Sequence, residues 1–188
     1  MPMRAAEWRD RLREFRTQDG TALADLAEET PVLLVFLRHF GCTFAREAIR
    51  DIATRRAVIE ATGSRLVLVH MAHDALAAAM LTRYGLRDVR RVSDPDRRLY
   101  AAFDLARGTV GQVFGPGLWV RMFSAGVLAG HRIGRVVGDG MQMPGVFLVY
   151  RGQIIRSFRH KTIADRPDYV ALASHGLTLG LQPAASVS

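Results

Sequence analysis

Apolar positions change their period several times along this chain, and each change predicts an element. Trp8, Leu12 and Phe15 recur at helical spacing with Arg9, Asp10, Arg11 and Glu14 between them, as in an amphipathic helix laid on a core. A second short helix is expected from Thr21, carrying Leu23 and Leu26 and ended by Pro31. From Val32 to Leu37 the run is apolar without alternation, as a strand buried on both faces requires. Helical spacing returns from Thr43 to Glu60. Ile49, Ile52, Ala53 and Val58 form its expected buried stripe, and Arg46, Arg50, Arg55 and Arg56 face outward.

Arg65 to Met71 is a second buried strand, after the Gly63-Ser64 break. Asp74 is placed to cap a helix running to Tyr84, with Gly85 stopping it. Val89–Val92 reads as a short strand, and Ser93-Asp94-Pro95 opens a helix carrying Leu99, Tyr100, Phe103 and Leu105. Strands alternating with helices imply parallel pairing through crossover connections. Glycines punctuate the stretch from Arg107 to Met143, inside which Leu118, Trp119, Met122 and Phe123 suggest one apolar helix face. Gly145–Tyr150 and Gln153–Phe158 predict an antiparallel hairpin with a tight turn at Arg151-Gly152. Asp165 to Ser174 closes the fold as a helix, with Tyr169, Val170 and Leu172 inward. The expected fold class is α/β, a sandwich with a mixed central sheet flanked by helices. One domain is expected over residues 1–181, including an N-terminal helical extension, with 182–188 as a flexible tail.

The organising feature is the junction between the first strand and the long helix. There the apolar run stops at Arg38-His39, Gly41 turns the chain, and the sole cysteine, Cys42, stands where the helix begins. Unpaired amides and the helix dipole favour a thiolate at that place, so the position predicts a reactive, acidified thiol. Arg38, His39 and Arg46 add positive potential, and His39 is close enough in sequence to tune the thiolate. Thr43 is a candidate cap for the site helix. A buried, inert cysteine is the plainer alternative.

Composition changes this picture little. Of 188 residues, 49% are hydrophobic, enough for a folded core. Net charge is +8, but Lys161 is the only lysine, and the arginines are scattered and often sit beside acids. That distribution argues for a solvated surface rather than a nucleic-acid site. One cysteine makes no internal disulfide, and the start lacks the apolar core of a signal peptide. The apolar stretch from Gly117 to Gly130 is interrupted by Arg121 and too short to span a bilayer. A cytoplasmic setting without membrane association is the expectation. His39, His70 and His73 lack companions at metal-ligand spacing, so no metal and no cofactor is expected.

The segment Phe36-Leu37-Arg38-His39-Phe40-Gly41-Cys42-Thr43-Phe44-Ala45-Arg46-Glu47-Ala48 resembles the redox site of peroxiredoxin-like proteins in the alkyl hydroperoxide reductase/thiol-specific antioxidant group, the branch related to selenoprotein L. Asp94–Tyr100, Met141–Val149, Arg159-His160 and Asp165–Tyr169 extend the resemblance, which runs from about Pro31 to Leu177. It implies a thioredoxin-like fold and a redox site built on Cys-x-x-Cys, here Cys42 followed by Ala45 at the resolving position. In true peroxiredoxins the second position holds the peroxidatic cysteine after a threonine, and an arginine stands where thioredoxins carry a cis-proline. By the resemblance that place is Pro144, after Met143, so a cis Met143–Pro144 bond is expected, with no arginine at that place. The Met143 backbone would then offer its N–H and C=O to an extended substrate, with Phe44 among the supporting residues.

The resemblance points to thiol–disulfide exchange, in which Cys42 forms a mixed disulfide that Ala45 cannot resolve. Partners would be a protein or small-molecule disulfide and a thiol reductant. A peroxiredoxin-like peroxidase and a non-catalytic scaffold binding through Trp119, Met122 and Phe123 are the alternatives. The Leu118–Phe123 face is expected to cover the site or a symmetric partner in a homodimer, unless it is ordinary core.

Overall fold

Every residue of β1 (Val32–Phe36) is buried, because this strand lies at the centre of a five-stranded mixed sheet. The computed structural model describes residues 4–105, 107–109 and 139–174. On one side β1 pairs in parallel with β2 (Arg65–His70), which pairs in parallel with β3 (Arg90–Ser93). On the other it pairs antiparallel with β4 (Gly145–Tyr150), and β4 with β5 (Gln153–Arg159). The order is β3-β2-β1-β4-β5. All the expected strands and pairings are present.

Successive side chains of a strand point to opposite faces, so the unbroken apolar runs feed two cores. Leu34, Phe36, Val67, Val69 and Phe147 face one layer, made by α1 (Ala5–Arg13), α2 (Leu23–Glu29) and α5 (Arg98–Ala102). Leu33, Val35, Leu68, Val146 and Leu148 face the other, made by α3 (Thr43–Ala61), α4 (Asp74–Thr82) and α6 (Tyr169–Ala173). Burial of each such side chain is worth about 1.5–3 kcal/mol. The β4–β5 turn uses positive φ at both Arg151 (47°) and Gly152 (73°), as a two-residue hairpin requires.

Several expectations shift on the helices. Val58 is 54% exposed, and Ile59 takes its place in the core. At about 3.6 residues per turn, Val58 lies half a turn from Ile49, whereas Ile59 returns to its side. Phe15 is buried but lies beyond the end of α1. Asp74 does not cap α4; its carboxylate is held by Arg91 at 2.7 and 3.0 Å, and His73 is the N-cap. Asp94 behaves as expected, accepting the backbone N–H groups of Arg98, Leu99 and Tyr100 ahead of α5. The closing helix is shorter than predicted, because Pro167 disfavours helix at Arg166 and Asp168 supplies the cap to Ala171 N. Leu118, Trp119, Met122, Phe123 and residues 182–188 lie outside the described residues.

The two isoleucine-stripe positions can be told apart by unfolding in denaturant. Ile59→Ala should cost about 2–5 kcal/mol, while Val58→Ala should stay within about 0.5 kcal/mol. Equal losses would place the stripe where the sequence pattern put it.

Candidate functional site

Leu37 carries β1 one residue past its last sheet partner, and its N–H still donates to the Val69 carbonyl at 2.8 Å. Tyr100, fully buried, fastens this end: its hydroxyl donates to the Leu37 carbonyl at 2.5 Å and lies 3.1 Å from the Val69 carbonyl. Two edge-on or tilted aromatic neighbours, Tyr100 and Phe103, hold Phe36 from the same side. The next residue, Arg38, therefore starts inside the protein and is only 4% exposed.

Its guanidinium is engaged from two directions. Nη1 lies 3.4 Å from Cys42 Sγ, and Nη2 donates to the Gly140 carbonyl. Burial pulls Arg38 below the ordinary guanidinium value, against the opposing pull of Cys42 and Asp139. Gly140 is in turn fixed by its neighbour. Asp139 pairs with Arg97 and with Arg107 (2.8 Å), and its carboxylate accepts the Met141 N–H at 2.9 Å. Burial would raise Asp139, but the Met141 N–H and the two arginines hold it below the usual carboxylate value.

Cys42 is a free, half-buried thiol and is itself the N-cap of α3, with β-region backbone and no side-chain cap bond. Thr43, the candidate cap, is instead the first helical residue and is buried. The Cys42 N–H donates to the His39 carbonyl at 3.0 Å, and its carbonyl accepts from Arg46 N at 3.2 Å. Arg46 Nε also donates to the Phe40 carbonyl at 3.1 Å, tying the loop to the helix. His39 is buried, and burial together with Arg38 lowers its pKa against Asp139. Its bond to Cys42 is made by its carbonyl to the backbone N–H, not to the thiol.

Ala45 is buried one turn further along α3 and lines a cleft shared with Arg38, Phe44, Pro144 and His160. Phe44 and Met143 belong to a small apolar cluster with Ile163 and Ala164. The Met143–Pro144 bond is trans, since no peptide among the described residues is cis, which overturns the expected isomer. Trans is the favoured state even before proline, and here Gly145 enters β4 opposite Phe36 with that geometry. The Met143 carbonyl already accepts Gln142 Nε2 at 3.3 Å. The proline position carries no arginine, but Arg38, expected to add positive potential, reaches the thiol from the strand end. Among the described residues no group of acids, histidines or cysteine is placed to hold a metal, and no helix is long and apolar enough to cross a membrane.

Sequence reasoning named Arg38 only as a source of potential and missed Gly140, Asp139 and the role of Tyr100. One signal was present: a charged residue directly ending a wholly apolar strand must be buried or turned out, and burial demands partners.

No protein-family model matches the sequence and no curated protein matches it. Solved structures do match in fold. Peroxiredoxin Q of Xanthomonas campestris superposes with a TM-score of 0.54 at 17% identity, over 90% of this chain and 89% of that one. Peroxidoxin BcpB of Mycobacterium tuberculosis gives 0.55 at 16%, over 89% and 92%. A cysteine-to-serine mutant of the peroxiredoxin 6 of Arenicola marina gives 0.58 at 10%, over 85% and 66%.

Burial also sets a pH dependence around the site. His70, fully buried at the end of β2, is pushed down to about 4, against the Ala72 carbonyl and Asp74, which favour the charged ring. His160 is likewise held at about 4 by burial. Both stay neutral in the folded protein while the unfolded chain protonates near 6.5. Stability should therefore be fully present above about pH 6.5 and fall as the pH drops towards about 4. In denaturant titrations His70→Leu should flatten this slope, and an unchanged slope would contradict the assignment. The chain has a thioredoxin-like α/β fold, the fold it shares with these peroxiredoxin structures.

Proposed function

We propose that this protein is a thiol-dependent redox protein that works through Cys42 as a single reactive cysteine. The observation that carries the reading is the pairing of Cys42 Sγ with Arg38 Nη1 at the N-terminus of α3. A guanidinium and a helix N-terminus both favour the thiolate, which is the nucleophile. Likeness to peroxiredoxin folds supports a redox role in general terms.

In the exchange reaction the Cys42 thiolate attacks one sulfur of a substrate disulfide. The S–S bond breaks, a Cys42 mixed disulfide forms, and the other substrate sulfur leaves as a thiolate that takes up a proton. Ala45 has no thiol to attack the mixed disulfide, so an external thiol must do so. Its thiolate attacks the substrate sulfur, returns the electron pair to Cys42 and leaves as part of a new disulfide. Partners are thus a protein or small-molecule disulfide and a thiol reductant. We place the reaction in a reducing, cytoplasmic setting.

Peroxide reduction is the second reading, and Arg38 is what favours it. In that reaction the thiolate attacks the terminal, hydroxyl-bearing oxygen, the O–O bond breaks, Cys42 becomes a sulfenic acid, and the other oxygen leaves as alkoxide or hydroxide that takes a proton from solvent. External thiol then returns the sulfenic acid to the thiol with loss of water. A cation at the thiol stabilises the charge that shifts to oxygen.

Iodoacetamide alkylation followed against pH tests the common core of both readings. Arg38→Met should slow alkylation at neutral pH by about ten-fold; an equal rate would remove Arg38 from the site. A disulfide reagent should leave a one-to-one mixed disulfide that persists until external thiol is added, and Ala45→Cys should release it unaided. Faster consumption of hydrogen peroxide than of disulfide by the unmodified chain would decide for the peroxidase.

A further inference from the structure

A cleft of about 380 Å³ lies beside the thiol, bounded by α3, β1, the start of β4 and the approach to α6. Cys42 does not line it, whereas Ala45 does, so the cleft itself carries no nucleophilic sulfur. Its apolar wall is formed by Val35, Ala45, Pro144, Val146 and Ile163, and charged or polar side chains line the rest. The volume is that of a site for a small organic molecule.

Two residues of this lining each carry a buried side-chain nitrogen with no hydrogen-bond partner. Among the described residues four buried side-chain nitrogens lack a hydrogen-bond partner, and two of these, Arg38 Nε and His160 Nδ1, belong to residues of the cleft. Leaving such a donor unpaired costs about 1–3 kcal/mol, and more when the group is charged. The acids of the lining are already engaged. Glu47 pairs with Arg166 at 2.9 Å and Asp51 with Arg55 at 3.1 Å, while Asp165 accepts Lys161 N and Thr162 N at 2.6 and 3.0 Å. The buried Arg38 guanidinium therefore dominates the charge at the inner end, and Arg50 adds to it from the exposed rim.

We propose that this cleft binds a small organic acid, its carboxylate on Arg38 and a compact apolar body against Ala45, Pro144 and Val146. A carboxylate accepts from a guanidinium with strong, charge-assisted geometry, whereas a neutral head group leaves the buried charge uncompensated. Because the same guanidinium touches Cys42 Sγ, the bound acid competes with the thiolate for Arg38 and slows its reactions. Binding depends on the cleft and Arg38 and not on turnover at Cys42.

Isothermal calorimetry with cyclohexanecarboxylate tests this, with cyclohexylmethanol and acetate as comparison ligands. The acid should bind saturably, and each comparison ligand should bind about ten-fold more weakly or worse. Ala45→Leu, which fills the cleft, and Arg38→Met should each weaken the acid by a similar factor, with folding checked by circular dichroism. Should Ala45→Leu not fold, Ala45→Val takes its place. Saturating acid should also slow iodoacetamide alkylation of Cys42 in the unmodified chain. Absence of saturable binding below about 10 mM would overturn the proposal. Equal affinity for the alcohol, or binding unaffected by the cleft-filling variant, would overturn it as well. The calorimetric signal needs no reactive thiol, so an inert Cys42 would defeat the redox reading and leave this one standing.

Discussion

The burial of β1 on both faces is the constraint on which the site depends. A central strand flanked by β2 and β4, with helices above and below, runs at its carboxyl end into residues that are themselves buried. Its continuation, Leu37-Arg38, is delivered to the interior, and a guanidinium there needs acceptors. The Gly140 carbonyl and Cys42 Sγ supply them. The thiol is thereby more than a residue at the start of a helix, because it is one of the ligands of a buried cation.

That arrangement joins segments far apart in the chain. Arg97 and Arg107 hold Asp139, Asp139 holds the backbone of the next residues, and Gly140 holds Arg38. From below, Tyr100 anchors Leu37 through its hydroxyl, while Asp94 fixes the start of the helix bearing Tyr100. A charge network thus sets the position of the arginine from one side and a core aromatic from the other. Neither borders on the thiol, yet each controls the geometry the thiol experiences.

The division between Cys42 and Ala45 gives the site two faces. One helical turn separates them on α3, and they look onto different surroundings: the sulfur meets Arg38, and the alanine methyl meets an apolar cleft. Where a dithiol protein would use both positions for electron transfer, the proposed function uses only the first, and Ala45 leaves space at the second. Arg38 is common to both, so the proposed ligand of the cleft would act on the sulfur through a shared hydrogen-bond donor.

Much of the fold was legible in the sequence. Continuous apolar runs identified the three central strands, and the Arg151-Gly152 pair identified the hairpin, because local period and turn chemistry follow from backbone geometry. The same reasoning located Cys42 at a strand-to-helix junction. It misplaced Val58, which the helical period itself puts half a turn from Ile49, and the cap at Asp74, since which partner a carboxylate finds depends on elements distant in sequence. The environment of the thiol was decided wholly by tertiary structure. Arg38 and Gly140 are 102 positions apart, and only the antiparallel return of β4 along β1 brings the segment before Gly145 against the strand end. That same return proceeds through a trans Met143–Pro144 bond, so the arginine at the thiol came from the strand and not from the position family likeness assigned to it. Sequence period determines what each element is; long-range packing determines which buried charge a cysteine must answer.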